Sequence, residues 1–272
     1  MGIRFLLTDA RNSFDFFLRE KLPFSRQKYS ESGVNLPREL LKLSPADARQ
    51  VEALVDHYQL TPYLDYLSYH SFMDNIVHLL LLDSVSKYMS LTAEAKVLDV
   101  GSKNFAYCVS IYEFLKQVHR SRSGGVIGSH FFDIQGIELD VKRMYSNFYS
   151  RETCGEYYCR LIPRAKLLHG DVLKESLSGP YTVITHFYPF IEMSSLLDFG
   201  LPSKYFRPIE IFRRLFQCLE PGGRFFLANT TRDEYLHSRS LLEACQFIHL
   251  GSASTSNGLT QDKPLYASIF TK

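Results

Sequence analysis

The spacing of apolar positions changes character near residue 96 of the 272-residue chain. Before that point apolar residues recur three and four apart, and no stretch alternates with period two. In SPADARQVEALVDHY, Ser44 stands as a helix cap, Pro45 fits the first turn, and Val51, Leu54, Val55 and Tyr58 fall on one face. A second helix is predicted from Ser71 to Met89, after a tyrosine-dense stretch TPYLDYLSYH. From residue 96 onward short apolar runs alternate with helical stretches, the pattern of a sheet covered by helices. The predicted strands are KVLDV (96–100), FDIQGIE (132–138), AKLLHG, YTVITHFY (181–188), Phe225 to Ala228, FIHLG and PLYASIF. Helices are predicted in FAYCVSIYEFLKQV, VKRMYSNFY, Ile209 to Leu219 and SLLEACQ. The chain therefore reads as an α/β protein, with a helical subdomain over residues 1–95 and a seven-stranded domain over residues 96–272.

Composition adds boundaries rather than an identity. With 45% hydrophobic and 22% charged residues the chain can bury a core, and its formal charge of +2 names no partner. The apolar run near the amino terminus is short for a secretory signal, and LLLL at 79–82 falls far below the roughly 18 residues of a membrane helix. A soluble, cytoplasmic protein with no membrane partner is the resulting expectation. Five scattered cysteines, with no second Cys/His pair near Cys154 and Cys159, predict reduced thiols and no metal site. The Gly/Ser-rich stretch HRSRSGGVIGSH, with Arg120 and Arg122, reads as a solvated surface loop.

Candidate chemistry begins at VLDVGSKNFAY (97–107). A strand ending in an acid and a glycine, followed by a helix, turns backbone N–H groups toward the carboxyl edge of a sheet, where a carboxylate or phosphate can sit. Only Gly101 of a G-x-G-x-x-G series is present, so a dinucleotide fingerprint is absent. The companions of this turn are more informative. VLDVGS, GIELD, HGDV, an apolar strand ending in HFYPF, and LEPGGRFFLANT follow one another in an order that resembles the class I S-adenosylmethionine-dependent methyltransferases.

The resemblance spans residues 96–272 and implies a Rossmann-like sheet in the order 3-2-1-4-5-7-6, the last strand antiparallel. It implies S-adenosylmethionine as cofactor and S-adenosylhomocysteine as product. Asp99 and Gly101 match the first motif, which holds the methionine and ribose part of the cofactor, with Ser102, Asn104 and Phe105 as its neighbours. Glu138 matches the carboxylate that accepts from the ribose hydroxyls, with Asp140 as its alternate. Asp171 matches the acceptor of the adenine amino group, and His186 and Phe187 match positions near the reactive methyl. The sequence departs from the family where Lys103 and Asn104 replace small residues, and where the Asn-Pro-Pro-aromatic and Pro-Cys signatures are missing.

Each residue also has a purely structural reading. Asp99 can cap its own turn, His-Gly-Asp is ordinary turn chemistry, and a lone histidine after an apolar strand often belongs to the core. Methyl transfer from a sulfonium needs alignment first, and a base only if the acceptor must lose a proton. His186 is the first candidate base, followed by Tyr188 and Glu192. Tyr66, Tyr69, His70 and Phe72 are expected to roof the cofactor, Phe187 to Phe190 to wall the acceptor pocket, and residues 198–208, with Lys204 and Arg207, to cap it. The functional expectation is methyl transfer to a small or medium-sized, planar or apolar acceptor. An inactive cofactor-binding regulator and a nucleic-acid methyltransferase are the rivals, and the weak net charge weighs against nucleic acid as a partner. The sequence leaves the oligomeric state open.

Overall fold

A computed structural model describes residues 2–22, 24–91, 94–123 and 132–272. One sheet contains β1 (Ala95–Val100), β2 (Phe132–Glu138), β3 (Ala165–His169), β4 (Tyr181–Phe187), β5 (Leu219–Asn229), β6 (Ile248–Thr255) and β7 (Leu265–Thr271). Their order is β3-β2-β1-β4-β5-β7-β6, with β7 antiparallel to both neighbours. This is the class I methyltransferase fold, in the order that the resemblance implies. The inner strands β1, β2 and β4 are buried almost throughout, as a parallel sheet covered on both faces requires.

The helices are α1 (Ile3–Lys21), α2 (Leu36–Leu40), α3 (Pro45–His57), α4 (Tyr69–Ser84), α5 (Cys108–Ser123), α6 (Arg151–Cys159), α7 (Met193–Asp198), α8 (Pro208–Cys218) and α9 (Arg232–Ala244). Serines cap three of them: Ser44, Ser68 and Ser150 accept from the backbone N–H groups of Asp47, Ser71 and Thr153. Because strand side chains alternate, Val97 and Ile134 face Phe72, Ile76 and Leu79 of α4 in one core layer. Leu98 and Ile184 face Phe212 and Leu215 of α8 in the other. Helices from the first 95 residues thus share a core with the sheet. A third cluster joins Phe16 of α1 to Leu196, Leu197 and Leu201.

Two local expectations change. The helix predicted in VKRMYSNFY is instead a turn closed by a bridge between Met144 and Ser150, with Phe148 left-handed at φ 65°; the helix starts where Ser150 supplies a cap. The Pro-Gly-Gly turn lies within β5, where Gly222 is left-handed at φ 77° and the register against β4 jumps from Tyr181↔Leu219 to Val183↔Arg224. Of the basic loop, Arg120 lies in α5 and donates to Gln59, while the side chain of Arg122 and residues 124–131 lie outside the described residues. No helix among the described residues is long and apolar enough to cross a membrane, and none of their side chains cluster as a metal site. All five cysteines are free and buried.

Candidate functional site

The turn after β1 is built from unusual backbone. Gly101, Lys103 and Phe105 all have positive φ, at 75°, 52° and 55°. Two of these three are not glycine, and such strain persists only where the surroundings enforce it. Here the N–H groups of Gly101 and Ser102 donate to the Ile137 carbonyl at 2.9 and 3.3 Å, and Ser102 Oγ donates to the Asp99 carbonyl at 2.9 Å. The Phe105 ring seals the turn against Gly136, where a Cβ would stand 2.7 Å from Ser102 Oγ and 3.1 Å from the ring. Gly136→Ala is therefore expected to destabilise the fold by about 1–3 kcal/mol through overpacking, read from denaturant unfolding. An unchanged midpoint would show that the turn yields freely.

Beside this turn opens a cleft of about 800 Å³, its mouth included, at the carboxyl ends of the parallel strands. That is the size and place of a small-ligand site in this class of sheet. Glu138, at the end of β2, lies on its floor. One carboxylate oxygen, Oε2, accepts the Lys103 N–H at 2.8 Å, while Oε1 accepts the Asp140 N–H at 2.9 Å and an Arg151 N–H at 3.1 Å. Arg151 is itself buried, so the pair is a desolvated ion pair. Oε2 keeps acceptor capacity for a ligand hydroxyl. At one end of the cleft Asp171 accepts from Arg207 at 2.6 Å and from the Leu173 N–H at 3.0 Å. Gly101, Lys103 and Tyr188 also line it.

Gly101, Glu138, Asp171, His186, Phe187 and Tyr188 line this cleft together, with Phe190 of the expected wall and Phe199, Leu201, Tyr205 and Arg207 of the expected cap. Asp99, Ser102, Asn104 and Phe105 are not among its walls. The side chain of Asp99 shares the face of Gly136 and Glu138 but lies deeper in the sheet, wholly buried, accepting from Thr185 Oγ1 at 2.6 Å and Tyr107 OH at 2.9 Å. Burial pushes its carboxyl up to about 7. Ser102 and Phe105 are buried within the turn, and Asn104 Oδ1 accepts weakly from the Ala106 N–H at 3.4 Å. These four shape the cradle rather than touch its contents. Asp140 likewise is consumed by a bidentate ion pair with Arg19, 3.0 Å on each arm.

The expected roof also differs. Phe72 is core, Tyr66 is exposed, and neither Tyr69 nor His70 reaches the cleft. The roof is the segment from Phe190 to Arg207, chiefly Phe199, Leu201 and Tyr205, and α1 lies behind it. Asn12 donates to the Leu197 and Leu201 carbonyls at 2.8 and 3.1 Å, Asp9 accepts from Ser203 N–H at 2.6 Å, and Phe16 meets Tyr205 at 5.2 Å between ring centroids. Phe199 is held by the guanidinium groups of Arg143 and Arg151 over its ring, at 5.1 and 4.8 Å. Helix α4 contributes instead through His78, stacked on Tyr107 at 3.9 Å and edge-on to Phe187 at 4.4 Å.

His186 is buried, and its Nδ1 has no hydrogen-bond partner. Burial pushes its pKa down to about 3, so the imidazole facing the cleft is neutral and weakly basic. Tyr188 takes a left-handed φ of 56°, and burial followed by the nearby Asp74 charge raises its phenol, so it is a hydrogen-bond donor at neutral pH. Glu192 is exposed and outside the cleft walls. Lys103 extends along the cleft wall, in the field of Asp74, Arg151 and Glu138. Sequence reasoning noted it only as a departure; its left-handed backbone had no local sign, since glycine is the usual residue there.

No protein-family model and no curated protein matches the sequence. Solved structures resemble the fold at low identity. A methyltransferase from Pyrococcus furiosus is 14% identical with a TM-score of 0.47, covering 97% of this chain and 96% of its own. TrmN from Thermus thermophilus is 14% identical with a TM-score of 0.46, covering 73% of this chain, which in turn spans 48% of TrmN. The complex of the Haloferax volcanii Trm112 methyltransferase activator with a methyltransferase gives 10% identity and a TM-score of 0.49, covering 74% and 93%. One expectation is corrected by these findings. TrmN and a complex with the Trm112 methyltransferase activator are among the similar structures, so the expectation that set nucleic acid aside is withdrawn. Whole-chain net charge is a poor guide because it sums over the surface and says nothing of where Lys103 and Arg207 line the cleft beside Glu138 and Asp171.

Proposed function

We propose that this protein binds S-adenosylmethionine in the cleft and transfers its methyl group. The observation that carries the reading is the floor of the cleft, where the Glu138 carboxylate is oriented by two backbone N–H groups and Arg151, midway between the Gly101 turn and Asp171. The donor set fits a nucleoside. Oε2 of Glu138 can accept from a ribose hydroxyl, Asp171 Oδ1 and Oδ2 stand where an amino group of a base can be met, and Leu139 and Val172 offer apolar contact to a planar ring. The sulfonium supplies an activated methyl group when the cofactor is bound.

The side chains then have positioning work. Phe187 and Tyr188 turn aromatic surface to a cation, and a neutral His186 adds no repulsion to it. Neither His186 nor Tyr188 is a competent proton acceptor at neutral pH, which favours an acceptor atom that already carries a free lone pair. Phe190 and Phe199 suit a planar or apolar acceptor group, free or carried on a larger molecule.

Calorimetric titration with S-adenosylmethionine and S-adenosylhomocysteine tests the reading: both are expected to bind, and absence of heat and of any thermal shift with either overturns it. His186→Ala is expected to retain transfer, with cofactor affinity reduced about tenfold or less and no change in the pH profile of the rate. Loss of all transfer with cofactor affinity intact would restore His186 as a base. A cofactor-binding regulator without transfer is the second reading, favoured by the same weakly basic side chains. Methyl-labelled cofactor incubated with metabolite, RNA and protein pools separates the two.

A further inference from the structure

Lys103 stands in the cleft wall as a cation with no counter-charge in contact. Its backbone is left-handed, φ 52°, where glycine is the favoured residue, and its N–H is already given to Glu138 Oε2 at 2.8 Å. Arg207, the other cation of the walls, is paired with Asp171 at 2.6 Å. Among the described residues no carboxylate stands at ion-pairing distance from the Lys103 ammonium. The charge it feels most is that of Asp74, exposed on α4: burial lowers the Lys103 pKa and Asp74 raises it, while burial raises Asp74 and Lys103 lowers it. The Asp74 charge also reaches Tyr188. His78, one turn along α4, fixes this placement, since its Nδ1 donates to the Asp74 carbonyl at 2.6 Å and its ring lies 6.1 Å from that of Tyr188. Two opposite charges, near but not touching, leave a gap that a zwitterion closes.

The strand order says which zwitterion. Asp171 follows β3, Glu138 ends β2, Lys103 follows β1 and Tyr188 follows β4, so they lie across the sheet in that order, roughly 5 Å per strand. A nucleoside with its base at Asp171 and its ribose at Glu138 carries the sulfur-bearing arm of its sugar on toward Lys103 and Tyr188. In S-adenosylmethionine that arm ends in an α-amino acid. Resting on the function proposed above, we propose that Lys103 takes the α-carboxylate of this tail and Asp74 its α-ammonium, so that the two residues select a cofactor whose amino-acid end is intact. The carboxylate also settles a conflict of charge. Lys103 and a sulfonium are like charges in one cleft, and a carboxylate between them replaces repulsion with attraction on both sides.

Calorimetry on the full chain with S-adenosylhomocysteine and with methylthioadenosine, the same thioether nucleoside without the amino-acid tail, tests the clamp. Wild type is expected to prefer S-adenosylhomocysteine. Lys103→Met and Asp74→Asn are each expected to weaken that ligand about 10- to 100-fold while changing methylthioadenosine by less than about twofold. Lys103→Arg is expected to keep most of the affinity. Lys103→Gly, which suits the left-handed backbone, is expected to fold normally and to bind S-adenosylhomocysteine as weakly as Lys103→Met, separating the charge from the turn. Full affinity in Lys103→Met or Asp74→Asn overturns the clamp, as does an equal loss for both ligands, which marks damage to the turn. A wild type that binds the two ligands equally overturns the clamp and leaves the nucleoside site standing. A wild type that binds neither overturns the proposed function and the clamp with it.

Discussion

Glu138→Ala is expected to lower the free energy of unfolding by about 3–5 kcal/mol and to abolish measurable binding of S-adenosylhomocysteine. The first effect comes from Arg151, which is buried with Glu138 as its counter-charge, donating to it through Nη1 while its Nε has no hydrogen-bond partner. Removing the carboxylate leaves a desolvated cation and strips the Lys103 and Asp140 N–H groups of their acceptor. The left-handed turn at Lys103 then loses a tether, so the cleft is damaged even where the chain still folds. Glu138→Gln separates the contributions. It preserves shape, but places an amide NH₂ where both carboxylate oxygens now accept, and it is expected to bind the ligand weakly while retaining more stability than the alanine variant. Denaturant unfolding and calorimetry on the two variants provide the check. Wild-type stability and affinity in Glu138→Ala would remove this residue from the site.

Stability is expected to fall by about 1.5 kcal/mol between pH 6.5 and 5 in wild type, and by about 3 kcal/mol over the same interval in Asp99→Asn. Burial pushes His78 and His186 down from 6.5 to about 3, so in this interval the unfolded chain takes up protons that the folded chain refuses. Each histidine therefore withdraws stability as the pH falls through 6.5. Asp99 acts with the opposite sign. Burial raises it from 3.8 to about 7, so the folded state holds a proton that the unfolded state has released, and its contribution grows as the pH falls from 7 toward 4. In wild type the carboxyl offsets part of the histidine loss. Asparagine at 99 keeps the buried hydrogen-bonding shape without the ionisation, so this variant is expected to be the more stable of the two above pH 7 and to lose that advantage in acid. Thermal unfolding across pH 5 to 8 measures both slopes; parallel curves for wild type and Asp99→Asn would contradict the assignment.

Those two carboxylates show how far the linear pattern reaches. Asp99 and Glu138 both sit near the carboxyl ends of apolar strands, and the sequence presents them alike. Asp99 lies one residue before the end of β1, opposite Thr185 in β4, and its side chain meets Thr185 and Tyr107 inside the core. Glu138 ends β2 and turns into the cleft. The register sets Asp99 beside Gly136, so the two carboxylates share one face of the sheet and Glu138 stands two residues nearer its carboxyl edge, a depth that boundaries read from pattern do not resolve.

By itself the sequence determined the elements whose information is local or ordered along the chain. Buried strands read as apolar runs, a serine cap stood before α3, and the series VLDVGS, GIELD, HGDV and LEPGG carried the strand order through its resemblance. Tertiary structure decided what depended on residues far apart. Arg19 meets Asp140 across 121 positions and Asn12 reaches Leu197 across 185, so α1, and not the tyrosine-rich stretch, stands behind the roof. The same holds for the basic residues gathered at the cleft and for the orphaned nitrogen of His186. Periodicity states that a face will be buried; only packing states against what, and with the partner come the charge, the burial and the pKa on which the chemistry rests.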